Sequence, residues 1–205
     1  MATTHKLATI AIAIAAIGAA LPAAAQDADN GAWLVRVRAV DLRSANKDHT
    51  DLGANLSINN KWIPEFDVSY FFTPNIAAEL VLTYPQKQTV YSNGTAIGTF
   101  KHLPPTLTAQ YHFTGLPGFR PYVGAGVNYT RISSVDLLGG AADLKRNSFG
   151  LAAQLGVDVP IGSGWLLNLD VKKVQIKTDV LVGGANHGEL KLDPWLIGIG
   201  AGKRF

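Results

Sequence analysis

The stretch WLVRVRAVDL, residues 33–42, decides the fold class, because apolar and polar side chains alternate along it. Val35 and Val37 fall on one face, while Arg36 and Arg38 fall on the other. A period of two residues is the pattern of a β-strand whose two faces meet different surroundings. This strand is therefore predicted to separate an apolar environment from a polar one.

The same alternation recurs along the rest of the chain, and helical periodicity is hard to find. The predicted strands are residues 33–42, 61–72, 76–84, 103–113, 120–130, 148–159, 164–174 and 194–205. Strands of soluble proteins usually have about 5–6 residues, whereas a tilted strand needs about 9–11 to cross a bilayer. The predicted strands have the longer, membrane-crossing length.

The connections between these strands alternate strictly between short and long. The short connections are residues 73–75, 114–119 and 160–163, and the long ones are residues 43–60, 85–102, 131–147 and 175–193. An even number of strands with tight turns at one end and long loops at the other is typical of bacterial outer-membrane barrels. We therefore predict an all-β fold: an eight-stranded antiparallel transmembrane β-barrel with short periplasmic turns and four long extracellular loops.

The two faces of the strands favour a membrane barrel over a soluble one. A soluble lipocalin-type barrel would also alternate, but its apolar face would surround an internal ligand. Here the bulky face carries aromatic residues near the strand ends, as an interfacial girdle would: Trp33, Tyr70, Phe72, Tyr84, Phe113, Trp165 and Trp195. A shift of one residue would place Arg36 and Arg38 in lipid, at about 2–4 kcal/mol each near the midplane.

Composition excludes several classes of function. Charged residues are 16% of the chain, against about 25% in an average soluble protein. The chain has no cysteine, which excludes disulfides, thiolate metal sites and a cysteine nucleophile. The net charge of +3 is small and scattered, so a nucleic-acid partner is not expected.

Residues 1–25 have the pattern of a secretory signal peptide. An apolar run at residues 7–21 follows a short polar segment, and Ala23 and Ala25 form an A-x-A cleavage site before Gln26. A membrane anchor is the alternative, but the run is short for the ~20 residues that a spanning helix needs. We predict a cleaved signal peptide at residues 1–25 and a barrel at residues 26–205.

The inward-facing positions of the predicted strands collect charges of both signs. A polar track for ions is one interpretation, and a set of paired charges that plugs the barrel is the other. Eight strands enclose a lumen just wide enough for side chains, which favours the plug. The predicted interior charges are Arg36, Arg38, Lys172 and Arg204 with Glu65, Asp67, Glu79, Asp158 and Asp170.

A second inward-facing group is apolar and is predicted to form a pocket in the extracellular half, roofed by the long loops. Its apolar members are Leu34, Val40, Val81, Tyr122 and Leu166, and Lys172 is assigned to the same pocket and lumen. A hydrophobic solute would leave this pocket sideways into lipid, because the charged lumen below would obstruct it.

No catalytic or metal-binding constellation is expected, and no cofactor. His49, Asp48 and Ser92 are the residues from which a loop triad of the outer-membrane acyltransferase type would have to be built, but serine and aspartate are common in loops. The histidines show no tight metal-ligand spacing.

Two adjacent strings, LPPTLTAQYHF at residues 103–113 and RPYVGAGVNYT at residues 120–130, resemble the outer membrane protein W (OmpW) family. FTPNIAAEL at residues 72–80, LGVDV at 155–159 and LDPW at 192–195 resemble motifs of that family in the same order. The resemblance implies a Gram-negative outer-membrane barrel that helps small hydrophobic compounds across the membrane, as related alkane-uptake proteins do. The sideways release above resembles the mechanism proposed for such barrels.

The resemblance also implies partners: outer-membrane lipid, small hydrophobic solutes, and the barrel-assembly machinery, which reads a terminal aromatic such as Phe205. A monomer is expected, because closure removes the sheet edges. Lys203 and Lys172 depart from the family pattern, since an aromatic is usual two residues before the end and family lumens tend to be hydrophobic. The alternative function is a structural or interaction barrel that binds a surface ligand or phage, or maintains the envelope, without transport.

Overall fold

The computed structural model describes residues 31–205, so the predicted signal peptide and its cleavage site between Ala25 and Gln26 lie outside the described residues. The described strands follow one another in the order β1 (Trp33–Arg43), β2 (Lys47–Thr50), β3 (Leu56–Ile58), β4 (Lys61–Phe71), β5 (Ile76–Leu82), β6 (Gln86–Ser92), β7 (Thr95–Leu103), β8 (Thr106–His112), β9 (Arg120–Leu137), β10 (Ala142–Leu144), β11 (Asn147–Gly162), β12 (Trp165–Val174), β13 (Lys177–Val182), β14 (Ala185–Lys191) and β15 (Trp195–Arg204). A single 3₁₀ turn, Leu138–Gly140, is the helical structure among residues 31–205. None of the helical structure in that range is long and apolar enough to cross a membrane.

Eight of these strands form a closed antiparallel barrel in the order β1, β4, β5, β8, β9, β11, β12 and β15. The barrel closes where β1 pairs with β15, from Leu34 opposite Arg204 to Arg43 opposite Trp195. Closure pairs the backbone groups of both terminal strands, which hydrocarbon requires. The predicted fold and all eight predicted strands are confirmed.

Several strand boundaries differ from the prediction by one to three residues or more, and two of the differences stand out. The strand predicted from residue 103 begins as β8 at Thr106, because Pro104 and Pro105 have no N–H to donate to a ladder. The strand predicted to end at residue 130 continues as β9 to Leu137 and rises above the rest of the wall.

The predicted long loops contain strands of their own. β6 and β7 form one hairpin and β13 and β14 form another, while β2, β3 and β10 pair with these hairpins. They extend the barrel at the end that we call the loop end. The opposite end, with the three short connections, is called the turn end.

The outer face carries a broad apolar belt bounded by aromatic side chains. At the turn end, Tyr70 lies between Trp33 and Phe72, with ring centroids 4.9 and 5.1 Å apart. At the loop end the exposed aromatics are Trp62, Tyr84, Tyr129, Phe149 and Trp195. Two such girdles around an apolar belt are the arrangement of a membrane-spanning barrel.

Candidate functional site

The interior of the loop end is filled by an apolar column. Inward-facing side chains of the wall and of the loop-end hairpins form one buried cluster, which includes Val40, Leu42, Ile63, Val90, Phe100, Ile132, Leu144, Ile176 and Leu190. These residues occupy alternate positions, as in the burial pattern of β6, so the hairpins turn their apolar faces into the barrel. The interior of the loop end is therefore hydrophobic.

A cavity of about 100 Å³, which we call the upper cavity, lies near the tips of the hairpins. Its walls are almost entirely apolar and include Leu56, Val90, Leu137, Leu144, Val180 and Leu190. In other proteins apolar cavities of roughly 150 Å³ stay dry and bind benzene. The upper cavity has the chemistry for a small hydrophobic molecule.

A second space, the lower cavity, lies at the base of the column. It has free room of about 20 Å³, enough for about one water molecule. Its lining joins apolar side chains to a few polar ones, and includes Leu42, Ile63, Val81, Leu196, Glu65, His102 and Lys172. The column thus narrows from the upper cavity to a polar floor.

His102 brings a buried imidazole to the lower cavity. Its Nε2 lies 3.3 Å from Nε2 of Gln88, and its Nδ1 has no hydrogen-bond partner within residues 31–205. Burial, assisted by the positive charge of Lys61, lowers the pKa of His102 to about 4. The ring is therefore neutral at pH 7.

Below the lower cavity, ionic side chains fill the lumen and form what we call the charge plug: Arg36, Arg38, Lys172, Glu65, Asp67, Glu79, Asp158 and Asp170. Arg36 lies at its centre and is fully buried. Its guanidinium is 3.0 Å from Asp67, 3.0 Å from Glu79 and 2.8 Å from Asp158. One side chain thereby joins three strands of the wall.

Arg38 and Lys172 complete the plug on the side of the lower cavity. Arg38 pairs with Glu65 at 2.7 Å and with Glu79 at 3.2 Å, and its Nε donates to Asn168 at 2.7 Å. Lys172 pairs with the same oxygen of Glu65 at 2.7 Å. The shared carboxylates make the plug one connected network.

Neutral polar groups donate hydrogen bonds to several of the other carboxylate oxygens. The Tyr122 hydroxyl donates to Asp170 at 2.7 Å, and the Gln154 amide donates to Glu79 at 2.9 Å and to Asp170 at 2.8 Å. Buried charges are costly unless they are paired and hydrogen-bonded, and here they are both. The network blocks the lumen and offers no apolar passage.

The sequence-predicted pocket residues are not brought together. Val40 lies in the apolar column and Val81 lines the lower cavity. Leu34 and Leu166 instead pack with Phe71 and Ala77 at the turn end. Their predicted place in the extracellular half is wrong, because their inward orientation alone does not give their height along the barrel.

The structure also places Tyr122 away from the predicted apolar pocket and Arg204 away from the other interior charges. The Tyr122 ring stacks on His112 with centroids 4.8 Å apart and serves the plug instead of the pocket. Arg204 lies at the turn end, where its Nε donates to Gly31 O at 2.6 Å and its guanidinium covers the Phe71 ring at 3.8 Å. The other predicted interior charges, including Lys172, meet in the plug.

The chain terminus is fixed by backbone bonds. Phe205 N donates to Trp33 O at 2.8 Å, which places the terminal aromatic beside the first strand. Lys203, the departure from the family pattern, holds its Nζ 5.2 Å from the Trp165 ring and 5.5 Å from the Phe205 ring. These are cation–π distances at the turn-end girdle, where a lysine head can reach water.

The loop residues considered for a triad have structural partners. Asp48 accepts hydrogen bonds from the backbone N–H of Leu56 at 2.7 Å and of Thr50 at 2.9 Å, and the Ser92 hydroxyl donates to Ala54 O at 3.0 Å. Among residues 31–205 no group of three or more metal-ligating side chains occurs.

Several residues of the column were not predicted from sequence, chiefly Phe100, Val90, Ile132 and Leu190. A signal was present, because QKQTVYS and TAIGTFKHL (residues 86–92 and 95–103) alternate as strands do. Both segments lie largely between predicted membrane strands, within residues 85–102, and that range is therefore predicted to be a loop.

Comparisons with known proteins identify relatives of this barrel. A model of the OmpW family matches residues 29–205. Outer membrane protein W of Escherichia coli is 33% identical, covering 96% of this chain and 99% of its own length. An uncharacterized outer-membrane protein of Sinorhizobium fredii is 42% identical over 84% of this chain and 80% of its own. A dibenzothiophene metabolism operon protein of Pseudomonas aeruginosa is 30% identical over 68% of this chain and 70% of its own.

Solved structures share the fold. The crystal structure of the outer membrane protein OprG from Pseudomonas aeruginosa superposes with a TM-score of 0.74 at 27% identity, covering 86% of this chain and 97% of that one. The solid-state NMR structure of outer membrane protein AlkL in lipid bilayers superposes with a TM-score of 0.68 at 27% identity, covering 90% of this chain and 95% of that one.

Proposed function

The chain belongs to the OmpW family and is an outer-membrane β-barrel, and on that premise we propose that it admits small hydrophobic molecules through the outer membrane. The observation that carries the proposal is the apolar column, which begins at the upper cavity and stops at the charge plug. A solute gains about 25 cal/mol for each Å² of apolar surface that it buries there. Passage is passive and is driven by the solute gradient.

The chemistry of a relative supports the class of solute. One relative is named for a dibenzothiophene metabolism operon, and dibenzothiophene is a fused aromatic compound. A molecule of that kind has little to gain from the charge plug and much to gain from the column. We therefore assign small apolar or aromatic compounds as the solute class.

Release sideways into the outer leaflet is the second part of the proposal. An apolar solute that entered the charge plug would have to separate Arg38 from Glu65, and so break a buried ion pair without replacing it. The wall beside the lower cavity offers an easier route, because its strands are joined there by fewer backbone hydrogen bonds. Among the described residues the β4–β5 ladder ends at Phe66 opposite Leu82, and the β5–β8 ladder ends at Val81 opposite Thr106.

Prolines account for this interruption. Pro64, Pro85, Pro104 and Pro105 lie around the gap in the ladders, and none can donate a backbone hydrogen bond. Pro104 also lines the lower cavity. A wall segment held by fewer backbone hydrogen bonds opens at lower cost, so the solute leaves the column here and enters the acyl chains.

One partner and the oligomeric state complete the proposal. Phe205 is the terminal aromatic that the barrel-assembly machinery would read, and the closed wall makes a monomer the expected state. The competing function is a barrel that binds a surface ligand or maintains the envelope without moving a solute. The small size of the lower cavity favours that alternative, because a solute must widen it to pass.

Uptake measurements with Val81→Asp distinguish these functions. Dibenzothiophene would be added to cells that produce this protein and to cells that lack it. The rate at which the compound appears inside would be compared between the two. Val81→Asp places a carboxylate in the lining of the lower cavity and is expected to lower uptake about fivefold or more, because an apolar solute cannot compensate that charge. Barrel yield, measured by heat-dependent gel mobility, should stay near wild type.

Asn186→Asp is the matched control. It adds the same charge at an exposed hairpin position, where the side chain already accepts a hydrogen bond from Gly188 N at 2.8 Å. Uptake should be unchanged. Equal uptake with and without the wild-type protein would refute transport and leave the binding or structural role.

A further inference from the structure

A row of basic side chains lies on the outer surface at the loop end. Lys87 on β6 is directly opposite Lys101 on β7, and Lys101 is opposite Ser133 on β9. Arg131, two residues before Ser133, is opposite Leu103. Lys87, Lys101 and Arg131 are all exposed. We call these three residues the basic row.

The basic row faces the membrane surface and not the lumen. On β9, Val127 and Tyr129 are exposed on the lipid side, and Arg131 continues this series. Asn128 and Thr130, which alternate with them, are buried inside. Tyr129 belongs to the loop-end girdle, so Arg131 stands one step above the apolar belt. Headgroups of outer-leaflet lipids occupy that level.

The three cations have no acidic partner within residues 31–205. Two other lysines of the loop end do have one: Lys145 lies 3.2 Å from Asp179, and Lys177 lies 3.1 Å from Glu189. Like charges directly opposite each other destabilise a pair of strands. Lys87 and Lys101 are such a pair, and an anion between them would turn the repulsion into attraction.

An open groove beside the row supplies further hydrogen-bond donors. It is open to the outside and is lined by Tyr129, Arg131, Ser133, Ser134, Asn147 and Arg146, whose guanidinium also pairs with Asp143 at 2.8 Å. Arginine guanidinium matches the oxygens of a phosphate group with two parallel N–H bonds, and hydroxyl groups add single ones. The guanidinium and hydroxyl donors in the groove therefore suit a phosphate group, which has several oxygens to accept their hydrogen bonds.

We propose that the basic row and the adjacent groove bind the phosphate groups of an anionic glycolipid in the outer leaflet. The acyl chains of the same lipid lie along the apolar belt, against side chains such as Val127 and Leu107. The phosphate chemistry alone also fits free inorganic phosphate, but the position directly above the girdle favours a lipid. This site is separate from the apolar column and does not depend on transport.

Binding of diphosphorylated lipid A to the protein in neutral detergent micelles tests the proposal, with dephosphorylated lipid A as the second ligand. Wild type should bind the phosphorylated form about tenfold or more tightly than the dephosphorylated form. The triple variant Lys87→Gln, Lys101→Gln, Arg131→Gln should lose most of that preference. All three side chains are exposed, so folding should be unaffected, and heat-dependent gel mobility would verify it.

A second triple variant is the matched control. Lys145→Gln, Lys177→Gln and Lys191→Gln remove the same number of charges elsewhere at the loop end and should change the preference less than about twofold. Lys101→Gln alone should produce an intermediate loss.

Three results would overturn the assignment. Unchanged binding by the basic-row variant would show that the row is not the site. Equal losses in the two triple variants would show attraction to net charge only. Inorganic phosphate binding as tightly as the lipid would assign the site to free phosphate.

Discussion

Among single residues, the arginines of β1 show how one strand fixes the chemistry of the whole lumen. Arg36 and Arg38 project inward at neighbouring levels and contact carboxylates from several strands. Each is almost completely buried, so its charge is balanced by Asp67, Glu79 and Glu65 and not by water. Removal of one such partner leaves the others uncompensated.

Arg38→Met should lower the free energy of unfolding by about 3–5 kcal/mol, because it removes one of the cations that compensate the buried carboxylates of the plug. Urea unfolding of the refolded barrel in detergent micelles would measure the change. Arg43→Met is the control, since Arg43 pairs with Asp41 at 2.7 Å while its own side chain is 62% exposed. Exposed pairs contribute about 0.2–1 kcal/mol. If Arg38→Met lowered the free energy of unfolding by only about 1 kcal/mol or less, as expected for an exposed pair, the role of the plug would be contradicted.

His102 should make stability depend on pH between about 4 and 6.5. Burial lowers its pKa to about 4 in the folded protein, whereas an unfolded histidine titrates near 6.5. As the pH falls through this window, the unfolded chain takes up a proton that the folded barrel refuses, so the stability is complete above pH 6.5 and decreases toward pH 4.

The difference in unfolding free energy between wild type and His102→Gln isolates this effect from other titrating groups. From pH 7 to pH 4 that difference should shift against wild type by about 3 kcal/mol. Parallel pH profiles for the two proteins would show that His102 is not the responsible group.

Among the structural elements, β15 has glycine at three successive inward positions, Gly198, Gly200 and Gly202, where it packs closely against β1. A Cβ at Gly200 would lie 2.1 Å from Val37 O and 2.8 Å from the Cα of Arg38, both on β1. A Cβ at Gly198 would meet side-chain atoms of Arg38 and Val40 at 3.2 and 3.3 Å. The first contact involves backbone of the partner strand, and the second involves side chains that can move.

Gly200→Ala should therefore destabilise the barrel by about 1–3 kcal/mol, whereas Gly198→Ala should cost less than about 1 kcal/mol. The two variants change the same residue type on the same face of the same strand, so each serves as the control of the other. Thermal unfolding followed by gel mobility would rank them. Equal melting temperatures would mean that β1 and β15 adjust to a Cβ at Gly200.

For the whole molecule, the proposed sideways release depends on the structure of the wall. The charge plug closes the lumen below the column, and the ladders of β4, β5 and β8 stop beside the lower cavity. Thr83 and Pro104 line that cavity and would face each other if the β5–β8 register continued past Val81 and Thr106.

A cross-link between Thr83→Cys and Pro104→Cys should therefore lower uptake of dibenzothiophene, because it joins the wall where we propose that it opens. The chain has no cysteine, so a short bifunctional thiol reagent would act only at the introduced pair. Cysteines at Ala125 and Ala153, which are opposite each other in the continuous β9–β11 ladder, are the control. Loss of uptake in both cross-linked proteins, or in neither, would argue against this exit.

The sequence by itself determined the barrel, its strand number and the inward direction of its charges. A side chain of a strand can point to only two faces, and in lipid one of them must be apolar, so the alternation in residues 33–42 already assigned Arg36 and Arg38 to the interior. The same argument assigned the inward side chains Glu65, Asp67 and Lys172. Local periodicity carries this information because it does not depend on distant parts of the chain.

Only the tertiary structure decided how high each inward side chain lies and what it meets. Leu34 and Val40 share a face of β1, yet one packs at the turn end and the other in the apolar column. The tertiary structure also revealed how the loop-end hairpins pack, with Phe100 and Leu190 in one buried cluster although 90 residues separate them in the chain. Pairing register and strand tilt set these heights, and both depend on contacts between segments that are remote in sequence.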